Sequence, residues 1–133
     1  MEKSDSKKRY KFPQKHKLKK RSEFLLCYRH GVRYLTADFI VFVRSRTPDG
    51  LGFRLGTAVT KKIGKAVYRN RLKRLIREFF RLYQYSIYLD LDFVVVPKKR
   101  IKPAEMDFWQ VEREISPLLQ RIQKDFAPDE IEM

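Results

Sequence analysis

The chain has 133 residues, 31 of them lysine or arginine against 16 acids, for a net charge of +15. That length makes one domain with one modest core, and the charge points to RNA, DNA or an anionic surface as partner. A single cysteine, Cys27, excludes a disulfide framework and a cysteine-rich zinc site, and no apolar run is long enough to span a membrane.

The charged N-terminus is followed by no apolar stretch, so it is not a secretory signal, and a cytoplasmic protein is expected. Residues 1–20 carry nine lysines and arginines and almost nothing apolar, which predicts a flexible basic arm. Ser22 is placed to cap a short helix with Glu23 in its first turn. Phe24, Leu25 and Tyr28 give that helix an amphipathic pattern, and Gly31 is expected to end it as a C′ residue. Cys27, inside it, reads as a small buried hydrophobe.

A short strand is expected over Val32 to Leu35. Phe39 to Arg46 alternates as a longer one, with Phe39, Val41 and Val43 on one face and Ile40, Phe42 and Arg44 on the other. Thr47-Pro48-Asp49-Gly50 is turn chemistry. Phe53 to Thr60 predicts a second long strand, whose Gly56 and Ala58 side lets another element approach closely. Lys61 to Ala66 reads as a loop turning at Gly64, followed by a helix that fades near Gln84. Asp92 to Val96 is a buried strand stopped by Pro97. Trp109 to Gln123 is a final helix interrupted at Pro117.

The fold expected is α+β, a single small domain over residues 21–124 in the order α-β-β-β-α-β-α, with a mostly antiparallel four-stranded sheet. Residues 125–133 form an acidic tail. Residues 1–100 hold 27 of the 31 basic residues and only half of the acids, so the polyanion is expected on the first three-quarters of the chain.

The stretch from Lys61 to Arg81 concentrates this charge, with nine lysines and arginines against one acid, Glu78. On a projection of 100° per residue, Leu72, Leu75, Ile76, Phe79 and Tyr83 share one narrow arc. Asn70, Lys73, Arg74, Arg77 and Arg81 lie opposite, with Arg69 and Arg71 at the rims. Like charges this close cost helix stability. A merely solvated face alternates acids with bases, so this one predicts a nucleic-acid partner. Forked arginine donors at Arg69, Arg71, Arg74 and Arg77 suit phosphate oxygens. Asn70 has two readings, a contact to RNA or metal-bound water, or a tie to the preceding loop.

Catalytic constellations are lacking by comparison. His16 and His30 have no partner at metal-ligand or nucleophile–base spacing and read as solvent-facing or phosphate-contacting. Asp90 and Asp92 have the spacing of a metal-binding carboxylate pair, but strand-entry charges near a turn are the simpler reading. Gly64 alone makes no phosphate loop. Phe24 and Tyr28, four apart on one helix face, and Ile40 and Phe42, on one strand face, either line a groove for unpaired bases or pack as core. Phe39, Phe53, Phe79 and Phe93 are expected in the core.

Lys61-Lys62-Ile63-Gly64, then Ala66-Val67, then the run from Arg69 to Glu78, closely resemble the RNR signature of the bacterial ribonuclease P protein subunit. The order of elements from about Arg21 to Lys124 is similar to that family too. The resemblance implies a basic crossover helix, left-handed between two parallel strands against the usual rule. It implies that a large RNA subunit performs the hydrolysis with bound Mg2+. The protein then has no catalytic residue and binds no metal or cofactor by itself. The implied partners are the ribonuclease P catalytic RNA and precursor tRNA, whose 5′ leader is cut off endonucleolytically, with no membrane and no protein partner required.

By the same resemblance Arg69, Asn70, Arg71, Lys73, Arg74 and Arg77 face the catalytic RNA, and Lys61, Lys62 and Lys65 contact nearby phosphates. Phe24, Tyr28, Ile40 and Phe42 line a cleft for the single-stranded leader, with Lys98 and Lys99 at its edge. Lys65 stands where the family often has Asn, and Tyr28 where Phe is common. The alternative is a generic RNA-binding or ribosome-associated protein with no cleavage role, which needs no aromatic groove. A protein-only nuclease would depend on Asp90 or Asp92.

Overall fold

The computed structural model describes residues 12–127. Three helices, α1 (Arg21–His30), α2 (Ala66–Leu82) and α3 (Phe108–Phe126), and four strands, β1 (Val32–Leu35), β2 (Phe39–Ser45), β3 (Arg54–Thr57) and β4 (Leu91–Pro97), follow the expected order. The sheet runs β1-β2-β4-β3. β2 pairs antiparallel with β1 and with β4, while β3 runs parallel to β4. Parallel neighbours need a crossover connection, and α2 supplies it.

Alternation along the strands splits the side chains between two layers. Phe39, Val41 and Val43 of β2 and Phe93 and Val95 of β4 turn towards α2 and α3. Leu72, Ile76, Phe79 and Phe80 of α2 and Val111, Ile115 and Ile122 of α3 close this main core, all fully buried or nearly so. Phe53, Phe80 and Phe93 meet ring to ring at 5.3–6.1 Å. The opposite sheet face is covered by α1, through a smaller cluster of Leu18, Cys27 and Val94 with Phe24, Phe42, Ala58 and Val96 packed against it. Burial pushes the Cys27 thiol up, as befits a structural cysteine.

Several local expectations change. β3 covers four residues rather than Phe53 to Thr60, because its pairing with β4 ends at Thr57–Val95 and the chain then turns through a 3₁₀ turn at Lys61–Ile63. Ser22 lies inside α1; Lys20 is at the N-cap and makes no side-chain capping bond. Gly31 follows α1 with φ −81°, so it is no left-handed cap. It is small for another reason: a Cβ there would stand 2.5 Å from Cys27 O and 3.0 Å from Val43 O. Pro117 sits within α3 without ending it, and α3 continues through Asp125, the first residue of the expected tail. Tyr34 donates its hydroxyl to that Asp125 carboxylate at 2.8 Å.

The largest change concerns residues 12–20, which are packed rather than free. Phe12 and Leu18 contact the two cores. Leu18 N donates to Leu55 O at 2.9 Å, and Lys17 bridges Leu55 in parallel, so this strap closes the open edge of β3. His16 is buried, not solvent-facing. Its ring stacks on Phe53 at 4.1 Å, and its Nδ1 lies 2.6 Å from Phe53 O. Burial pushes its pKa down, so it stays neutral. The remainder of the arm and the end of the tail lie outside the described residues.

Candidate nucleic-acid interface

Leu72, Ile76, Phe79 and Phe80 pin one side of α2 to the core, and the geometry of the helix then fixes where its cations point. Asn70, Arg74 and Arg77 are exposed, while Arg69, Arg71, Lys73 and Arg81 are half-buried. The two rim arginines also brace the helix start. Arg69 Nη1 donates to Gly64 O at 3.1 Å, and Arg71 Nη1 to Pro103 O at 2.9 Å. The loop tie considered for Asn70 is thus made by Arg69. Arg81 pairs with Glu78, Nε to Oε1 at 3.0 Å.

Lys61, Lys62 and Lys65 stand exposed at the entrance to α2, Lys65 as its N-cap residue. The first turn carries no acid. The positive end of the helix dipole therefore adds to the lysines instead of being neutralised, which suits an anion.

The other sheet face holds the aromatic residues in rows set by strand register. Ile40 pairs with Val96; Phe42 pairs with Val94, and Val94 in turn with Gly56; Arg44 pairs with Asp92, and Asp92 with Arg54. α1 lies over these rows. Tyr28, 39% exposed, meets Phe42 edge-on at 5.0 Å, and the Phe24 ring rests on Gly56. Phe24, Tyr28, Ile40 and Phe42 thus converge on one face, the first, third and fourth half-buried. Lys98 follows Val96 by two residues, half-buried, and its N–H donates to Asp38 O at 2.8 Å; Lys99 is exposed in the same turn. Both lie just beyond the end of β4 that pairs with Phe39 and Ile40.

The polar row beneath was not anticipated. Asp92 is fully buried. Arg54 grips it with two parallel bonds, Nε to Oδ1 at 2.8 Å and Nη2 to Oδ2 at 2.9 Å. Arg44 adds a bond at 3.2 Å, and Arg46 Nε stands 3.4 Å away. Glu23 of α1 takes the remaining side of Arg54 at 2.8 Å. Asp92 is therefore neither an entry charge nor half of a metal pair. Asp90 points elsewhere, accepting from Gly50 N and Gly52 N at 3.2 and 2.8 Å. A buried carboxylate needs such partners, and the network fixes the start of α1, hence the aim of Phe24. The signal was present in the alternation that puts Arg44, Arg54 and Asp92 on one face.

Among the described residues no group of three or more His, Cys, Asp or Glu side chains is placed to hold a metal, and no helix is long and apolar enough to cross a membrane.

The family model described as Ribonuclease P matches residues 12–123. The chain belongs to the ribonuclease P protein family. The ribonuclease P protein component of Desulfovibrio desulfuricans is 46% identical over 114 residues, covering 86% of this chain and 88% of its own. That of Thermotoga maritima is 37% identical over 115 residues, covering 84% and 96%. The solved structure of the Thermotoga maritima RNase P protein matches with a TM-score of 0.71 at 37% identity, over 79% of this chain and 96% of that one. The Staphylococcus aureus RNase P protein matches with a TM-score of 0.71 at 30% identity, over 81% and 95%. The family match begins at Phe12, where the described body begins. As a member of the ribonuclease P protein family, the chain is the protein part of a tRNA-processing endoribonuclease ribonucleoprotein, and RNA is its partner.

Proposed function

We propose that α2 binds the catalytic RNA of ribonuclease P and that the groove under α1 binds the 5′ leader of precursor tRNA, promoting endonucleolytic removal of the leader. One observation carries this reading. A single sheet has an arginine-rich helix on one face and, on the other, a half-exposed cluster of Phe24, Tyr28, Ile40 and Phe42. Arginines on a rigid helix suit folded RNA, whose phosphates lie at fixed spacing. Aromatic side chains beside lysines suit an unpaired strand, whose bases stack while its phosphates meet cations.

In this reading Arg74, Arg77, Asn70 and Lys73 contact the catalytic RNA directly, and Arg69 and Arg71 do so while bracing the helix. Lys61, Lys62 and Lys65 meet phosphates at the helix start. Phe24, Tyr28, Ile40 and Phe42 hold leader bases, with Lys98 and Lys99 on its backbone. Mg2+ is held by the RNA and supplies the electrophilic chemistry there. The protein's cations offset repulsion between the two RNAs, so less Mg2+ is needed to bring them together. A cytoplasmic protein is consistent with a tRNA-processing role.

The test is cleavage of precursor tRNA at low Mg2+ by the protein alone, a bacterial ribonuclease P RNA alone, and the two together. Efficient 5′ cleavage by the mixture only supports the reading. A generic RNA-binding protein would leave the rate of the RNA unchanged, and a protein-only nuclease would cut unaided.

A further inference from the structure

The strap of residues 12–20 gives its apolar side chains to the cores and leaves Lys15, Lys19 and Lys20 exposed and Lys17 half-buried. Lys15, Lys17 and Lys20 enter no ion pair among the described residues, and Lys19 only donates to the neutral Gln14 amide at 2.6 Å. The acids close by are already occupied: Glu23 by Arg54, Asp49 by Arg46, Asp90 by the Gly50 and Gly52 amides. Among the described residues the positive charge of the strap is therefore uncompensated.

Three depressions adjoin it in series. One, of ≈ 330 Å³, lies between Phe24 of α1 and Arg77 of α2 and is bounded by Lys17 and Lys19. The next, also ≈ 330 Å³, shares Lys17 and Lys19 and adds Lys15 and Lys20. The third, ≈ 370 Å³, shares Lys15 and Leu51 with the second and ends at Tyr85 and Tyr88. Those tyrosines are 81% and 69% exposed, and neither ring contributes to a core. The track is thus aromatic at both ends and cationic between them, and it starts at residues of both faces already described.

We propose that this track is a further RNA site, in which a single-stranded segment runs along the strap with its phosphates on Lys15, Lys17 and Lys19 and an unpaired base stacked at Tyr85 and Tyr88. The proposal rests on the ribonuclease P reading for its partner class. Shared lining residues make the track continuous with the Arg77 and Phe24 surfaces, and its charge complements a phosphate backbone. The strand comes either from the catalytic RNA or from the distal part of a long leader; both present the same chemistry.

The test compares wild type, the Y85A/Y88A and K15Q/K17Q/K19Q variants, and R74A as a control on α2. Affinity is measured for the catalytic RNA, and then, in the assembled holoenzyme, for precursor tRNA with a short or a long leader. Losing one stacked base is expected to weaken binding by about tenfold in Y85A/Y88A. The lysine variant is expected to lower the salt dependence by about one to three phosphate contacts. A loss towards catalytic RNA assigns the strand to that RNA; a loss confined to the long leader assigns it to the substrate. If both strap variants match wild type in every arm while R74A binds RNA more weakly, the track is no RNA site and the ribonuclease P reading stands. If R74A also matches wild type, the reading of α2 fails with it.

Discussion

The Phe24 ring lies directly on Gly56: a Cβ built on that glycine would stand 2.4 Å from Phe24 Cζ. The glycine is needed there for space, since its φ is not in the left-handed region. Substitution G56A is expected to push Phe24 off the sheet. Overpacking of this kind costs about 1–3 kcal/mol, readable by urea denaturation. The same variant weakens holoenzyme binding to leader-bearing tRNA. In a double-mutant cycle, F24A costs less in the G56A background than in wild type; full additivity would show that the two do not interact.

Asp92 is fully buried among Arg44, Arg46 and Arg54. Removing one partner of a buried ion pair leaves the others uncompensated, at about 3–5 kcal/mol. D92A is therefore expected to lose stability of that order in equilibrium unfolding, while E23Q, at the accessible end of the network, loses much less. A D92A protein as stable as wild type would remove the network from the account of how α1 is held.

Arg74 and Arg71 separate two roles on one helix. Arg74 is exposed, whereas Arg71 also donates to Pro103 O. R74A is expected to weaken RNA binding and reduce the salt slope by about one, with an unchanged melting temperature. R71A is expected to weaken binding too and to cost about 0.5–1.5 kcal/mol of stability from the lost hydrogen bond. Salt titrations and thermal melts on the two proteins check this.

Asp38 and Glu114 share a hydrogen-bonded site beside Thr36, whose Oγ1 donates to Glu114 Oε1 at 2.6 Å. The hydrogen bond to Glu114, then burial and the Glu114 charge, raise the Asp38 pKa to about 6, against the opposing charges of Arg100 and Lys98. For Glu114 burial, the largest single influence, pushes the pKa up, but donors from Asp38, Thr36 and Gln110 together outweigh it and bring it down. The folded state thus keeps a proton on Asp38 that the unfolded chain gives up near pH 4. The contribution of Asp38 to stability is complete below pH 4 and declines as pH rises towards 6. Carboxyl NMR titration is expected to find Asp38 titrating near pH 6, and back in the ordinary aspartate range in E114Q.

Much of the fold was legible because its signals are local. The alternation of β2, the apolar arc of α2 and the β1 bounds agree with the structure. Helix and strand periods put Phe24 with Tyr28 on one face and Ile40 with Phe42 on another; that the two faces meet was implied by the family resemblance. What escaped depends on distant partners. Residues 12–20 look like a solvated arm by composition, yet three apolar or neutral side chains, Phe12, His16 and Leu18, find cores that only the folded sheet provides. Asp92 resembled a surface charge because its three arginines come from β2, the β2–β3 turn and β3. β3 is shorter than its sequence suggests because Ala58 to Thr60 continue the alternation after pairing with β4 has ended at Thr57–Val95, where the chain leaves the sheet towards the turn at Lys61–Ile63.

The most direct test of the central claim, that the aromatic groove and not α2 takes the leader, is holoenzyme affinity for tRNA with and without a leader, in wild type, Y28A and F42A. The account predicts about a tenfold loss for each variant with leader-bearing tRNA, the size of one lost base stack, and no change with leaderless tRNA. An equal loss on both substrates, or none on either, would contradict it.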